Sequence, residues 1–252
     1  MAGGSIDRVF EKRLASLVNA RVPGALRGGL RGLEKETLRV TPNGRIARSP
    51  HPTDIGSALC HPYITTDYSE ALLELVTPAV ADNDALLASL RELQAFVYPH
   101  LGEELLWCAS MPCELSGEEE IPIAHYGRSH EGHFKEVYRR GLLNRYGGMM
   151  QAIAGVHFNY SLPVTFWPLW AEVLQVRSAD AAFVSARYFD LLRNFRRHGW
   201  LVSWLFGSSP ALCRSFAPAA SGLARHAAAT LYGPHGTSLR MSDLGYRNRN
   251  QA

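Results

Sequence analysis

The stretch Arg31-Gly-Leu-Glu34-Lys-Glu36-Thr-Leu-Arg39-Val40 sets two carboxylates two residues apart among residues of core type. Read as a strand, it puts Glu34, Glu36, Leu38 and Val40 on one face and Leu33, Lys35, Thr37 and Arg39 on the other. The two carboxyl groups then stand about 7 Å apart. Carboxylates that close and partly buried repel each other and are costly to strip of water. A bound cation or an Arg or Lys partner relieves both costs. A hard cation such as Mg²⁺ takes oxygen ligands, commonly one or two carboxylates plus waters and substrate phosphates. The same spacing also describes an edge strand whose Glu side chains face water, and a short period-two run does not separate the two readings.

Two further segments carry residues of the same chemical kind. Ile64-Thr-Thr-Asp67-Tyr68-Ser-Glu70-Ala-Leu-Leu-Glu74-Leu-Val-Thr-Pro78 holds Asp67 and Glu74 seven apart. On one straight strand they would face opposite ways, and on a helix they would share a face. A turn near Ser69 followed by a strand over 72–77 suits the Leu-Val-Thr-Pro ending best. That strand sets Glu74 with Leu72 and Val76, against Leu73, Leu75 and Thr77, although a half-buried strand with Glu74 in water has the same pattern. In Val156-His157-Phe-Asn159-Tyr-Ser161-Leu162, His157, Asn159 and Ser161 share a face. Such a face can hold a metal or a phosphate, and it equally describes the wet side of an antiparallel strand.

The elements that would position these groups are legible in outline. Residues 6–17 carry Ile6, Val9, Phe10, Leu14 and Leu17 at helical spacing, a short amphipathic helix expected to serve packing. Pro42-Asn43-Gly44 predicts a turn and a hairpin over 38–48. Asp82-Asn83 caps a helix bearing Leu86, Leu87, Leu90, Leu93 and Val97, stopped by Pro99. Residues 107–112 read as a short strand or loop, with Cys108 and Cys113 expected to be buried thiols. A helix capped near Ser129 carries Phe134, Val137, Tyr138 and Leu142. The longest helix runs over about 179–198 with Val184, Tyr188, Leu191 and Phe195 as its buried seam. Arg193, Arg196, Arg197 and His198 near its end complement the helix dipole.

Composition narrows the class. Of 252 residues, 46% are hydrophobic and 19% charged, enough for a sizeable core in one large or two small domains. The net charge is +3 and the basic residues form no block, which argues against a nucleic-acid partner. Four cysteines without a Cys-x-x-Cys pair suggest reduced thiols and a cytoplasmic setting. No uninterrupted apolar run of roughly 20 residues occurs, so no membrane span and no membrane partner is expected.

Several segments together resemble the gamma-proteobacterial type of glutamate–cysteine ligase family. They are 31–39, 64–74, Ser110-Met-Pro-Cys113, Leu142-Leu-Asn-Arg-Tyr-Gly147, Gly155-Val-His-Phe-Asn-Tyr-Ser-Leu-Pro163 and Thr237-Ser-Leu-Arg240-Met-Ser-Asp-Leu-Gly-Tyr246. One such match is weak; all of them, in this order, are specific. The resemblance implies an α+β fold like that of glutamine synthetase, a mostly antiparallel sheet flanked by helices. It implies ATP-dependent joining of the side-chain carboxylate of L-glutamate to the amine of L-cysteine through a γ-glutamyl phosphate, the first step of glutathione biosynthesis. It implies Mg²⁺, with Mn²⁺ as the alternative ion, and ATP as a substrate.

By the same resemblance Glu34, Glu36, Asp67 and Glu74 match metal ligands, and His157 a residue at the same metal–phosphate cluster. Arg240 matches an arginine facing the transferring phosphoryl group or a substrate carboxylate. Tyr68, Tyr138 and Tyr246 match positions lining the cysteine pocket. Members of the family are about twice this long, and their second half supplies a further Glu ligand and an Arg for glutamate. Residues 1–252 are therefore expected to form a single, C-terminally truncated catalytic domain. For that portion alone the competing expectation is an inactive fragment that binds Mg-nucleotide or a partner without turnover.

Overall fold

The computed structural model describes residues 3–19, 22–112, 114–207, 211–216, 222–233 and 240. Its centre is β1 (Leu30–Val40), eleven residues long, on which the main sheet is built. On one side β1 pairs antiparallel with β3 (Leu72–Val76), opposing Glu36 to Glu74 and Thr37 to Leu73. Beyond β3 lies β2 (Ile64–Thr66), again antiparallel, with Thr65 opposite Glu74. On the other side of β1, β4 (Leu105–Leu106) pairs with Arg39 and Val40, and β5 (Val156–Ser161) pairs along 30–35 with Glu34 opposite His157. This is the α+β architecture with an antiparallel sheet that the sequence led one to expect. A second, three-stranded sheet comprises β6 (Ala211–Cys213), β7 (Ala224–Arg225) and β8 (Thr230–Tyr232), in the order β6-β8-β7.

Alternation decides what each face of β1 meets. On the back, Leu73 and Leu75 join Ile55, Ile64, Val97 and Leu101 in one core cluster, closed by α3 (Asn83–Val97) through Leu90 and Leu93. On the front, Leu38, Val40 and Leu72 enter a second core cluster with Tyr68, Leu115, Ile121 and Ala152–Ala154. The carboxylates occupy the same front face one turn of the pleat earlier, at Glu34, Glu36 and Glu74. A turn at Ser69 reverses the chain between β2 and β3, with the Leu72 N–H donating to the Ser69 carbonyl at 2.9 Å. Thr41 to Arg45 closes the turn after β1, with Gly44 at φ 79°, a conformation that disfavours a side chain.

Two helices begin at the caps that the sequence marked for them. Asp82 accepts from the Ala85 N–H and Ser129 from the Gly132 N–H, capping α3 and α4 (His130–Tyr146). Three expectations are corrected. The apolar face of α1 (Gly3–Asn19) does not simply pack: Val9, Phe10, Leu14 and Val18 are exposed, and Leu17 reaches the core around α5 (Phe166–Val173). The seam of α6 (Ala181–His198) is only half buried: Val184 and Tyr188 pack against α5, whereas Leu191 and Phe195 face outward. Residues 107–112, read as a short strand or loop, form a loop that follows the short strand Leu105–Leu106. Cys108 is exposed rather than buried, because the chain there leaves the sheet. Cys113 lies outside the described residues.

Candidate metal centre

β1, β3 and β5 bring their carboxylates and imidazole to one face because each strand supplies residues of the same pleat parity. Glu34, Glu74 and His157 each offer a ligand atom, and these atoms all lie within 4.8 Å of one another. His157 Nδ1 donates to Glu34 Oε2 at 2.9 Å, and Asn159 Nδ2 donates to Glu34 Oε1 at 2.7 Å. Both Glu34 oxygens are thus oriented by β5. The second ring nitrogen of His157, Nε2, is 4.0 Å from Glu36 Oε1. Glu36, 4% exposed, accepts from the Gly155 N–H at 2.7 Å. Asp67 follows Thr65 on the Glu74 side of β2, with its backbone N–H bonded to Leu72. Its carbonyl is held by Arg139 Nε at 2.6 Å, which fixes the strand end from α4.

The electrostatics mark an excess of negative charge. Glu74 is pushed up to about 7, first by burial and then by Asp67, Glu36 and Glu34. Glu36 is also raised, chiefly by burial and by Asp67; the Gly155 N–H, Arg240 and His157 oppose the rise. Glu34 is lowered, mainly by its hydrogen bond from His157, and His157 is raised by the same bond. A donor set of carboxylate oxygens with one imidazole, short of positive charge, suits a hard divalent cation.

The remaining sequence candidates are distributed as follows. Arg240 reaches the cluster's edge, its Nη2 donating to the Met150 and Ile153 carbonyls, and its charge acts on Glu36. Tyr68 is 2% exposed within the front core. Tyr138 sits on the exposed side of α4. Tyr246 lies outside the described residues. Asn159 is the participant that sequence reasoning underweighted; its signal was the alternating His-x-Asn pair, which the Glu34 contacts now explain.

A family model described as glutamate-cysteine ligase matches residues 14–252. The chain belongs to the glutamate–cysteine ligase family. A glutamate–cysteine ligase of Azotobacter vinelandii is 52% identical over 98% of this chain and 47% of its own length. One of Alcanivorax borkumensis is 49% identical over 96% of this chain and 46% of its own. Among solved structures, a Francisella tularensis glutamate–cysteine ligase in complex with AMP is 38% identical with a TM-score of 0.78, covering 86% of this chain and 43% of that one. A bifunctional glutathione synthetase from Pasteurella multocida gives 28% identity and a TM-score of 0.75, over 95% of this chain and 30% of its own. The chain spans about half the length of the curated relatives it matches. No helix among the described residues is long and apolar enough to cross a membrane.

Proposed function

We propose that Glu34, Glu36, Asp67, Glu74 and His157 hold Mg²⁺, with Mn²⁺ as an effective substitute, for an ATP-dependent ligase reaction in the cytoplasm. Residues 1–252 act as one unit that carries the metal-binding face. The substrates are L-glutamate, L-cysteine and ATP. The observation that carries this reading is the convergence of Glu34, Glu74 and His157 atoms within 4.8 Å, with Glu74 raised to about 7 by burial and then by neighbouring carboxylates.

In the proposed reaction the glutamate γ-carboxylate oxygen attacks the terminal phosphorus of ATP, and the bond to the bridging oxygen breaks to release ADP. The cysteine amine then attacks the γ-glutamyl phosphate carbonyl, phosphate leaves, and the amine proton passes to solvent. When bound, the cation neutralises charge on the phosphate oxygens. The protein's own part is positional. Asn159 and His157 set the two Glu34 oxygens, the Gly155 N–H sets Glu36, and Arg139 anchors the backbone at Asp67. Arg240, held on the Met150 and Ile153 carbonyls, supplies positive charge next to Glu36, where growing negative charge on a phosphoryl or carboxylate group is stabilised. Tyr68, Tyr138 and Tyr246 are assigned to the cysteine side of the site by the family resemblance alone.

Titration calorimetry with Mg²⁺ and Mn²⁺ tests the metal assignment: binding is expected in the native chain and strongly weakened in Glu34→Gln and Glu74→Gln. Equal binding by native and variant chains would overturn it. The half-length coverage favours a second reading for residues 1–252 alone, metal and nucleotide binding with little turnover. An assay for γ-glutamylcysteine with Mg²⁺ and ATP decides between the two, since normal turnover excludes the second.

A further inference from the structure

Asp67 differs from Glu34 and Glu36 in how it is held. Glu34 is gripped by His157 and Asn159, and Glu36 by the Gly155 N–H. Among the described residues no hydrogen-bond donor holds the Asp67 carboxylate. Yet its charge acts on both Glu36 and Glu74, so it stands close to the same face. Asp67 is the first residue beyond β2, where the ladder pairing ends. Its N–H donates to the Leu72 carbonyl at 3.0 Å. The carboxylate is therefore aimed through the main chain, and that main chain is gripped from outside the sheet.

Two side chains supply the grip. Tyr126 Oη donates to the Thr66 carbonyl at 2.7 Å, lies 3.2 Å from the Asp67 carbonyl, and accepts from Thr66 Oγ1 at 3.0 Å. Arg139 donates from Nε to the Asp67 carbonyl at 2.6 Å and from Nη2 to the Thr66 carbonyl at 3.3 Å. Its guanidinium carbon lies 4.7 Å from the centre of the Tyr126 ring, so ring and cation hold each other in place. Tyr126 is buried and packs against Ala58 and Ala124. Burial raises its phenol, which stays protonated and remains a donor. The stretch before it lines the turn after Asp67: the Ala124 N–H donates to the Tyr68 carbonyl and the Glu70 N–H to the Pro122 carbonyl, both at 2.9 Å. Packing alone would be served by a phenyl ring. The hydroxyl and the guanidinium instead converge on two consecutive carbonyls.

We infer that Tyr126 and Arg139 are positioning residues for the cation site, fixing the Thr66–Asp67 main chain so that the Asp67 carboxylate joins Glu36 and Glu74. The inference deepens the metal reading and rests on it. Both residues act through Asp67. Without them the last peptide of β2 can tilt, and the carboxylate swings with it.

Calorimetric titration with Mn²⁺ is the test, at a temperature where circular dichroism shows every variant folded. Tyr126→Phe keeps the ring and should weaken Mn²⁺ binding about tenfold. Arg139→Lys keeps the charge but loses the two-pronged donor, and a loss of similar size is expected. Asp82→Ala, which removes the cap of α3, should lower the melting temperature and leave the affinity as it is. A double-mutant cycle separates positioning of Asp67 from a general loosening: in the Asp67→Asn background, Tyr126→Phe should cost no further affinity. Unchanged affinity in either Tyr126→Phe or Arg139→Lys, with Glu74→Gln weakened, overturns this inference and leaves the metal reading standing. A full tenfold loss on adding Tyr126→Phe to Asp67→Asn does the same. Equal binding by the native chain and Glu74→Gln overturns both.

Discussion

The two ends of β1 handle charge in opposite ways. At its C-terminal end Arg39, 1% exposed, is compensated from several directions: Glu104 at 2.7 Å, the Ser49 carbonyl at 2.9 Å and the Glu70 carbonyl at 3.0 Å. Ser49 also donates to the other Glu104 oxygen at 2.5 Å, so the pair is locked into a network. Toward its N-terminal end Glu34 and Glu36 face Glu74 with an imidazole, two amide donors and a guanidinium at the edge, too little positive charge for three carboxylates and Asp67. A buried charge held by a carboxylate and two backbone carbonyls belongs to the architecture. A cluster left short of countercharge is held together by the fold at a cost, and such a cost is typical of functional sites.

The sharpest way to break the comparison is at Arg39. Arg39→Ala leaves Glu104 without its cation and should destabilise the chain by about 3–5 kcal/mol, read from the midpoint of urea unfolding. A change within about 1 kcal/mol would make both ends of β1 alike. Next in size is Glu74→Gln, expected to weaken Mg²⁺ or Mn²⁺ binding on the order of 100-fold, about 2.7 kcal/mol, by calorimetry.

The same variant should stabilise the metal-free chain above neutrality. A carboxyl raised in the folded state keeps its proton from the unfolded value of 4.5 up to about 7. The native chain therefore loses stability as pH rises through that window, and Glu74→Gln removes the loss. After discounting for partial exposure the gain is on the order of 1–2 kcal/mol, seen as a higher melting temperature at pH 8 and little change at pH 4. Metal binding should show the converse. The cation displaces the Glu74 proton, so affinity should fall about tenfold per pH unit below 7 and level off above it, measured by titration at pH 5.5–8. The smallest effect is expected at Asn159. Asn159→Ala frees one Glu34 oxygen while His157 still holds the other, so metal affinity should drop by about tenfold with folding intact.

Much of this contrast could be read before any coordinates. The alternation of Glu34, Glu36, Leu38 and Val40 names the face on which carboxylate gives way to core, because a strand's period is unambiguous once one face must be buried. The Leu-Val-Thr-Pro ending located β3 and set Glu74 on one face with Leu72 and Val76, while its place opposite Glu36 is known only from the strand pairing. Other features were illegible for stated physical reasons. Leu105–Leu106 pairs over two residues, too short for any period. Arg139 works through backbone carbonyls, which carry no side-chain signature. The seam of α6 was correctly drawn as a stripe, but a stripe does not say how much of it has a neighbour, and Leu191 and Phe195 have water.

One consequence of the eleven-residue span of β1 remains. Anchor and carboxylates ride on a single uninterrupted strand, with no loop between them to absorb a change in length. One residue inserted or deleted between Glu36 and Arg39 would turn either the guanidinium or the carboxylates to the wrong side. Evolution can therefore lengthen or shorten the connections around this sheet, but along those few positions it is confined to substitution.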